Sequence, residues 1–272
     1  MVWLDCRNKY FLICPAQIGV TVKLVVIHAK QKRKSMKKIT ALMLLTVVLI
    51  SLNSCRKVIG DGPVVTESRN TAEYSEIEFD VPGDLVFVES DHYEISIEAQ
   101  RNIINVIDTY VSGDELKVKV RNNTIIRSSE DILITIKAPS VSSLVVSGSG
   151  TLNVLNLFTP LHAKLRVSGS GRIVINKVIT DALDATISGS GSIEVLDGEA
   201  TKEDISISGS GNVNLLPVMA KKATTHTSGS GNIKVQVQNE LNVRISGSGD
   251  VFYKGNPEMD VNISGSGRII RL

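Results

Sequence analysis

Three residue types that usually announce an activity are scarce in this sequence. Only three of its 272 residues are cysteine (Cys6, Cys14 and Cys55), and none follows Cys55. A disulfide framework is thereby excluded for the rest of the chain, whose stability must come from burial and backbone pairing. Histidine occurs four times, at His28, His92, His162 and His226, too scattered to supply a repeated partner for a nucleophile. Aromatic residues make up 4%, and within the C-terminal half Phe252 and Tyr253 are the only adjacent pair, so stacking platforms for sugar rings are few. A basic surface is missing as well. Nine of the 30 Lys and Arg residues, but only one of the 28 acids, lie in residues 1–55; the remainder holds 21 basic and 27 acidic residues, a net −6. That balance excludes a nucleic-acid partner, which needs a basic patch.

The N-terminal part reads as an address. Met36-Lys37-Lys38 is followed by the apolar run Ile39 to Ile50 and then Ser51-Leu52-Asn53-Ser54-Cys55. This is the basic, apolar and small-residue order of a secretory signal. The apolar run is shorter than the ~20 residues a transmembrane helix needs. Leu52 and Ser54 before Cys55 resemble the lipobox of bacterial lipoproteins, which implies Cys55 as the lipid attachment site and residues 36–55 as the signal peptide. An ordinary signal peptide or an uncleaved anchor is the other reading. Residues 1–35 read as an upstream extension outside the cellular protein, because Met36 supplies its own basic start; a basic cytoplasmic tail is the alternative. Residues 56–71, with Gly60, Gly62, Pro63 and several charges, read as a flexible tether.

From Tyr74 the pattern is that of strands. Ile77, Phe79 and Val81 alternate with acids, Leu85 to Val88 and Ile95 to Glu98 continue, and Leu116, Val118 and Val120 alternate with Lys117, Lys119 and Arg121. Turns fall at Pro82-Gly83-Asp84 and Ser112-Gly113-Asp114. Ile103, Ile104, Ile107 and Val111 allow one helical turn or an irregular strand. No long amphipathic helix is present, so the chain beyond the tether is all-β.

What the sequence has in abundance is one tetrapeptide. Ser-Gly-Ser-Gly begins at Ser147, Ser168, Ser188, Ser208, Ser228, Ser246 and Ser264, at spacings of 21, 20, 20, 20, 18 and 18 residues. A period near 20 with β-type flanks predicts a stacked-coil solenoid. Apolar residues such as Ile205, Ile207, Val213 and Leu215 share one parity with the glycines, and the serines share the other. Strand alternation therefore predicts glycines facing the core and serines facing solvent. The candidate corner glycines are Gly148, Gly150, Gly169, Gly171, Gly189, Gly191, Gly209, Gly211, Gly229, Gly231, Gly247, Gly249, Gly265 and Gly267. Such a place needs glycine either for positive φ or for close approach of two backbones. Hairpin loops in an antiparallel barrel are the competing layout, but they would not require seven identical copies.

Chemistry is harder to find. The serines lack the Gly-x-Ser-x-Gly elbow and a following helix, which argues against a nucleophile and against a phosphate cradle. They read instead as a ladder bonded to one another or to the bend backbone, with a ligand-binding hydroxyl array as the sharper alternative. The solvent columns stack no two acids on neighbouring coils, so no paired-carboxylate glycosidase site is visible. Only Asp250 matches the recurrent aspartate of a calcium-binding roll, so no metal is expected. His226 and Arg244 are candidate neighbours on the solvent face.

The strands from Tyr74, the segment Asp131 to Leu144 and the Ser-Gly-Ser-Gly repeats together resemble the "putative auto-transporter adhesin, head GIN domain" family, over residues 72–267. The resemblance implies a right-handed parallel β-helix-like fold in lipoproteins or secreted proteins of Gram-negative bacteria. It supplies no catalytic residues. The expected protein is a single solenoid domain over 72–272, with about 20 residues per coil after irregular β coils. It is non-enzymatic, needs no cofactor, is lipid-anchored in the cell envelope, and offers a surface for protein or glycan ligands. An envelope scaffold without ligand, or a glycan-active enzyme, is the alternative. The apolar ending Arg268-Ile269-Ile270-Arg271-Leu272 predicts a last coil that packs on a partner, such as a second copy.

Overall fold

Parallel pairing in strict register builds the protein. The structure, a computed structural model, describes residues 56–127 and 130–272. The N-terminal elements are β1 (Arg56–Ile59), β2 (Val64–Arg69), β3 (Glu76–Asp80), β4 (Asp84–Glu89), β5 (Glu94–Gln100), the single turn α1 (Arg101–Ile104), β6 (Ile107–Ser112), β7 (Glu115–Val120), β8 (Thr124–Arg127) and β9 (Leu133–Ala138). The repeats then supply β10 (Ser143–Gly148), β11 (Thr151–Phe158), β12 (His162–Gly169), β13 (Arg172–Gly189), β14 (Ser192–Val195) and β15 (Gly198–Gly209). They finish with β16 (Asn212–Gly229), β17 (Asn232–Gly247), β18 (Val251–Gly255), β19 (Glu258–Gly265) and β20 (Ile269–Arg271).

The result is a β-solenoid of about 6 turns with ~20 residues per coil. Its first wall runs β7, β3, β10, β12, the end of β13, β15, β16, β17 and β19, every neighbour parallel. The second wall runs β9, β4, β11, the start of β13, β14, β16, β17, β18 and β20. A short third wall stacks Val178 on Gly198 and Gly198 on Val218. Longer strands such as β13 and β16 bend through all three walls in one coil. The hairpin layout is ruled out, because every Ser-Gly-Ser-Gly strand pairs parallel with its own copy.

Identical positions stack, and this explains the apolar repeat. Leu144, Leu165, Ala185, Ile205, Thr225 and Val243 form one inner column, and Val146, Val167, Ile187, Ile207, Thr227 and Ile245 the next. Each is at most 2% exposed. β-branched side chains suit such columns, since they lose little rotamer freedom and cover the pleated face.

At the N-terminal end the strands change direction. β6 closes the first wall antiparallel to β7. β5 and β2 close the second wall, each antiparallel to its neighbour. Ile103 and Ile104 of α1 fill the core there, fully buried. Residues 56–71, expected as a flexible tether, are part of this end. β1 pairs parallel with β8, and β2 pairs with β5 along six residues. The free edge of β5 supplies the hydrogen-bond partners that satisfy this backbone. Arg69 holds the segment, donating to the Ile107 carbonyl at 2.7 Å and the Ile104 carbonyl at 3.2 Å. The signal segment, Cys55 and the upstream extension lie outside the described residues.

Candidate functional site

The corner between the first and second walls is built by the tetrapeptides, and its two glycines do different work. Gly148, Gly169, Gly189, Gly209, Gly229, Gly247 and Gly265 have φ between +105° and +141°, a region side chains avoid. They lie at the bend and are partly or fully exposed, so the expectation that they face the core is corrected. Strand alternation fails at this point because the backbone has left the β region. Gly150, Gly171, Gly191, Gly211, Gly231, Gly249 and Gly267 do face inward and are buried. From Gly171 onward, a Cβ on any of these would lie closer than 3.0 Å to the carbonyl oxygen of the glycine one coil earlier. It would also strike a core side chain of that earlier coil, as Gly191 would strike Val167. The first glycine of each pair thus has positive φ and, from Gly169 onward, close approach to the coil before it as well, whereas the second has close approach alone.

The serines support the corner through their backbone. The N–H of Ser190 donates to the Gly169 carbonyl at 2.8 Å, and Ser170, Ser210, Ser230, Ser248 and Ser266 repeat the bond at 2.8–2.9 Å. Their hydroxyls do not form the expected ladder. Among the described residues only Ser147 of the fourteen uses its hydroxyl within the protein, donating to Glu78 at 3.4 Å. The rest face solvent, because equivalent atoms on adjacent coils stand a full strand spacing apart, about 4.8 Å.

One real side-chain ladder exists beside them. Asn232 Nδ2 donates to Asn212 Oδ1 at 3.2 Å, the Asp250 N–H to Asn232 Oδ1 at 3.0 Å, and the Arg268 N–H to Asp250 Oδ1 at 2.9 Å. Arg268 also pairs with Asp250 at 2.7 Å, which holds the Asp250 carboxyl below its usual pKa. Asp250, the one residue matching a calcium-roll position, is occupied by these contacts. His226 and Arg244 are register partners on the outer face of the first wall.

The first wall also carries a polar groove of about 650 Å³ along β10. Its floor is Ser143, Val145 and Ser147, whose short side chains set it below both neighbours. One bank is acidic, Glu76 and Glu78 of β3 with Glu115 of β7; the other is Lys164 and Arg166 of β12, with Asp184 of β13 beside Lys164. Lys117 bridges Glu78 and Glu115 at 2.6 and 2.7 Å, and the two carboxylates keep its ammonium firmly charged. Burial, then the neighbouring Glu78 charge, raises the Asp80 carboxyl. Lys164 and Arg166 make no ion pair within the described residues. The banks are separated by two strand spacings, about 10 Å, which keeps their charges apart.

A second, shallower groove of about 450 Å³ crosses the third wall, with Leu161, Ile179 and Met219 among its exposed apolar residues. The acid most perturbed by burial lies in neither groove. Glu203 is fully buried in the inner column Leu183, Glu203, Ala223, and burial raises its pKa far above normal. Neither carboxyl oxygen has a hydrogen-bond partner. Parity within Glu203-Asp204-Ile205-Ser206-Ile207 already places it on the core face, a signal present in the sequence itself.

The profile of the family described as "Putative auto-transporter adhesin, head GIN domain" matches residues 73–257. The chain belongs to this family. Solved structures share the GIN-domain fold. One, described as a putative adhesin from Bacteroides fragilis, is 20% identical, covers 79% of this chain and all of its own, and superposes with a TM-score of 0.73. A putative adhesin from Parabacteroides distasonis is 21% identical over 79% of this chain and all of its own, with a TM-score of 0.67. A protein of the same organism described as a putative lipid binding protein is 25% identical over 80% of this chain and all of its own, also at 0.67. Comparison with curated proteins found no match.

Proposed function

We propose that this GIN-domain protein is a lipid-anchored, non-enzymatic component of the bacterial cell envelope whose first wall binds a charged glycan. The anchor is Cys55, the cysteine after the signal segment. The observation that carries the binding role is the groove along β10, with carboxylates on one bank and the unpaired Lys164 and Arg166 on the other. Cations and anions held about 10 Å apart, over a floor of two serines and a valine, suit a saccharide bearing charged substituents. The floor strand is paired on both sides, so an extended peptide would find no free backbone to join. Recognition would rest on charge and hydroxyl contacts, since aromatic platforms are few. A non-enzymatic role agrees with the placement of Glu203, which is sealed away from both grooves.

A glycan array probed with residues 56–272 tests this reading, beside a variant carrying Lys164→Glu and Arg166→Glu. Retention of charged glycans by the wild type and loss by the double variant is expected. Binding that the variant retains, or turnover of a bound glycan, would overturn it. Protease shaving of intact cells reports whether the domain faces outward.

A further inference from the structure

We infer that the C-terminal coil is a self-association surface, in which β19 pairs antiparallel with β19 of a second copy about a twofold axis at Val261. The two ends of the solenoid differ. At the N-terminal end antiparallel strands and α1 close the core. At the other end the inner columns continue into solvent: Val243 is 1% exposed and Val261 above it 43%, Ile245 is 2% and Ile263 41%. Among the described residues β19, eight residues long, pairs only with β17, so its outer edge carries no strand. Its only edge-blunting charges are Glu258 and Asp260 on the outer face; it has neither proline nor lysine nor a bulge.

Register selects the partner. Opposed residues of an antiparallel pair share a face, so inner residues of one copy must meet inner residues of the other. Centring the axis on Val261 sets Val261 against itself and Met259 against Ile263 of the second copy, all apolar. On the outer face Glu258 then meets Ser264, and Asp260 meets Asn262. Centring it on Asp260 would oppose two carboxylates, which is destabilising. The strand is therefore self-complementary in a register that buries its exposed apolar residues and separates its acids. An isologous contact of this kind closes after two copies. Head-to-tail stacking would instead set β19 against an end whose core is already filled by Ile103 and Ile104.

Sedimentation of residues 56–272, a compact unit with its own core, tests the inference directly. A dimer is expected at micromolar concentration. Asn262→Asp, an exposed change, places a carboxylate opposite Asp260 twice and should weaken the dimer about tenfold. Asn262→Lys should tighten it by a similar factor. No cysteine occurs in 56–272, so Val261→Cys gives a clean cross-link: residues opposed at the axis lie within disulfide reach. Oxidised Val261→Cys should run as a covalent dimer, while Ser208→Cys on the same wall should not. A monomer throughout, or a dimer indifferent to both Asn262 substitutions, would overturn the proposal.

Discussion

Gly209 stands directly on Gly189, and the Ser210 N–H closes the corner by donating to the Gly189 carbonyl oxygen at 2.9 Å. A side chain at Gly209 would meet that same oxygen, at a backbone φ of +125°. Strain at such a φ costs ~1–3 kcal/mol, and the clash with backbone adds to it. Gly209→Ala should therefore destabilise by at least ~2 kcal/mol in urea denaturation. Ser208→Ala, at an exposed hydroxyl with no partner, should change stability by less than ~0.5 kcal/mol. Equal losses from the two substitutions would contradict the division of labour between glycine and serine.

Glu203 makes the core sensitive to pH. Its folded-state pKa is raised by burial, so the folded protein keeps a proton that the unfolded chain releases. Its stability is complete below the ordinary carboxylate pKa and declines as pH rises through the folded-state value. Lys202 and Asp204, its neighbours in sequence, are exposed on the outer face and do not reach the buried carboxyl. Glu203→Leu removes two unsatisfied oxygens beside Leu183 and Ala223. It should raise the midpoint of thermal unfolding and stabilise by ~1–3 kcal/mol. It should also flatten the fall in Tm between about pH 5 and about pH 8, the range above the carboxylate reference values. A wild-type Tm that does not fall over that range would refute the assignment.

Stacking is what made the solenoid legible. A residue that lies on its own copy must suit itself, so the repeat of Ser-Gly-Ser-Gly and of Ile205-type columns betrays the architecture. Parity reached Gly211 correctly but misplaced Gly209, because alternation holds only while φ stays in the β region. The serine hydroxyls form no ladder because each is a single polar atom on a short side chain, about 4.8 Å from its copy, whereas Asn232 reaches Asn212 with a second polar atom. The groove along β10 was not legible at all. It forms because Glu76 and Lys164, 88 positions apart in the chain, flank Ser143 in register. Residues 56–71 have the composition of a tether yet form strands, because composition alone cannot reveal that a free strand edge, here β5, waits for a partner.

Arg69 is the residue on which that last segment depends. Its guanidinium reaches the Ile104 and Ile107 carbonyls and Thr109 Oγ1, and pairs with Glu67 at 2.8 Å. The two carbonyls belong to α1 and β6, so one side chain ties β2 to the cap that closes the core. Hydrogen bonds to a charged group contribute about 1.5–3 kcal/mol, and here the side chain is only partly shielded from water. Arg69→Ala should accordingly cost ~1–2 kcal/mol, at the low end of that range, and the loss should be local. Amide exchange should quicken across 64–69 and along β5 while β13 to β17 stay protected, as expected when one cooperative unit opens alone. Arg69→Lys should restore little, because an ammonium cannot span three acceptors in one plane as the guanidinium does. Uniform quickening along the whole solenoid would show instead that the cap and the repeats unfold as one unit.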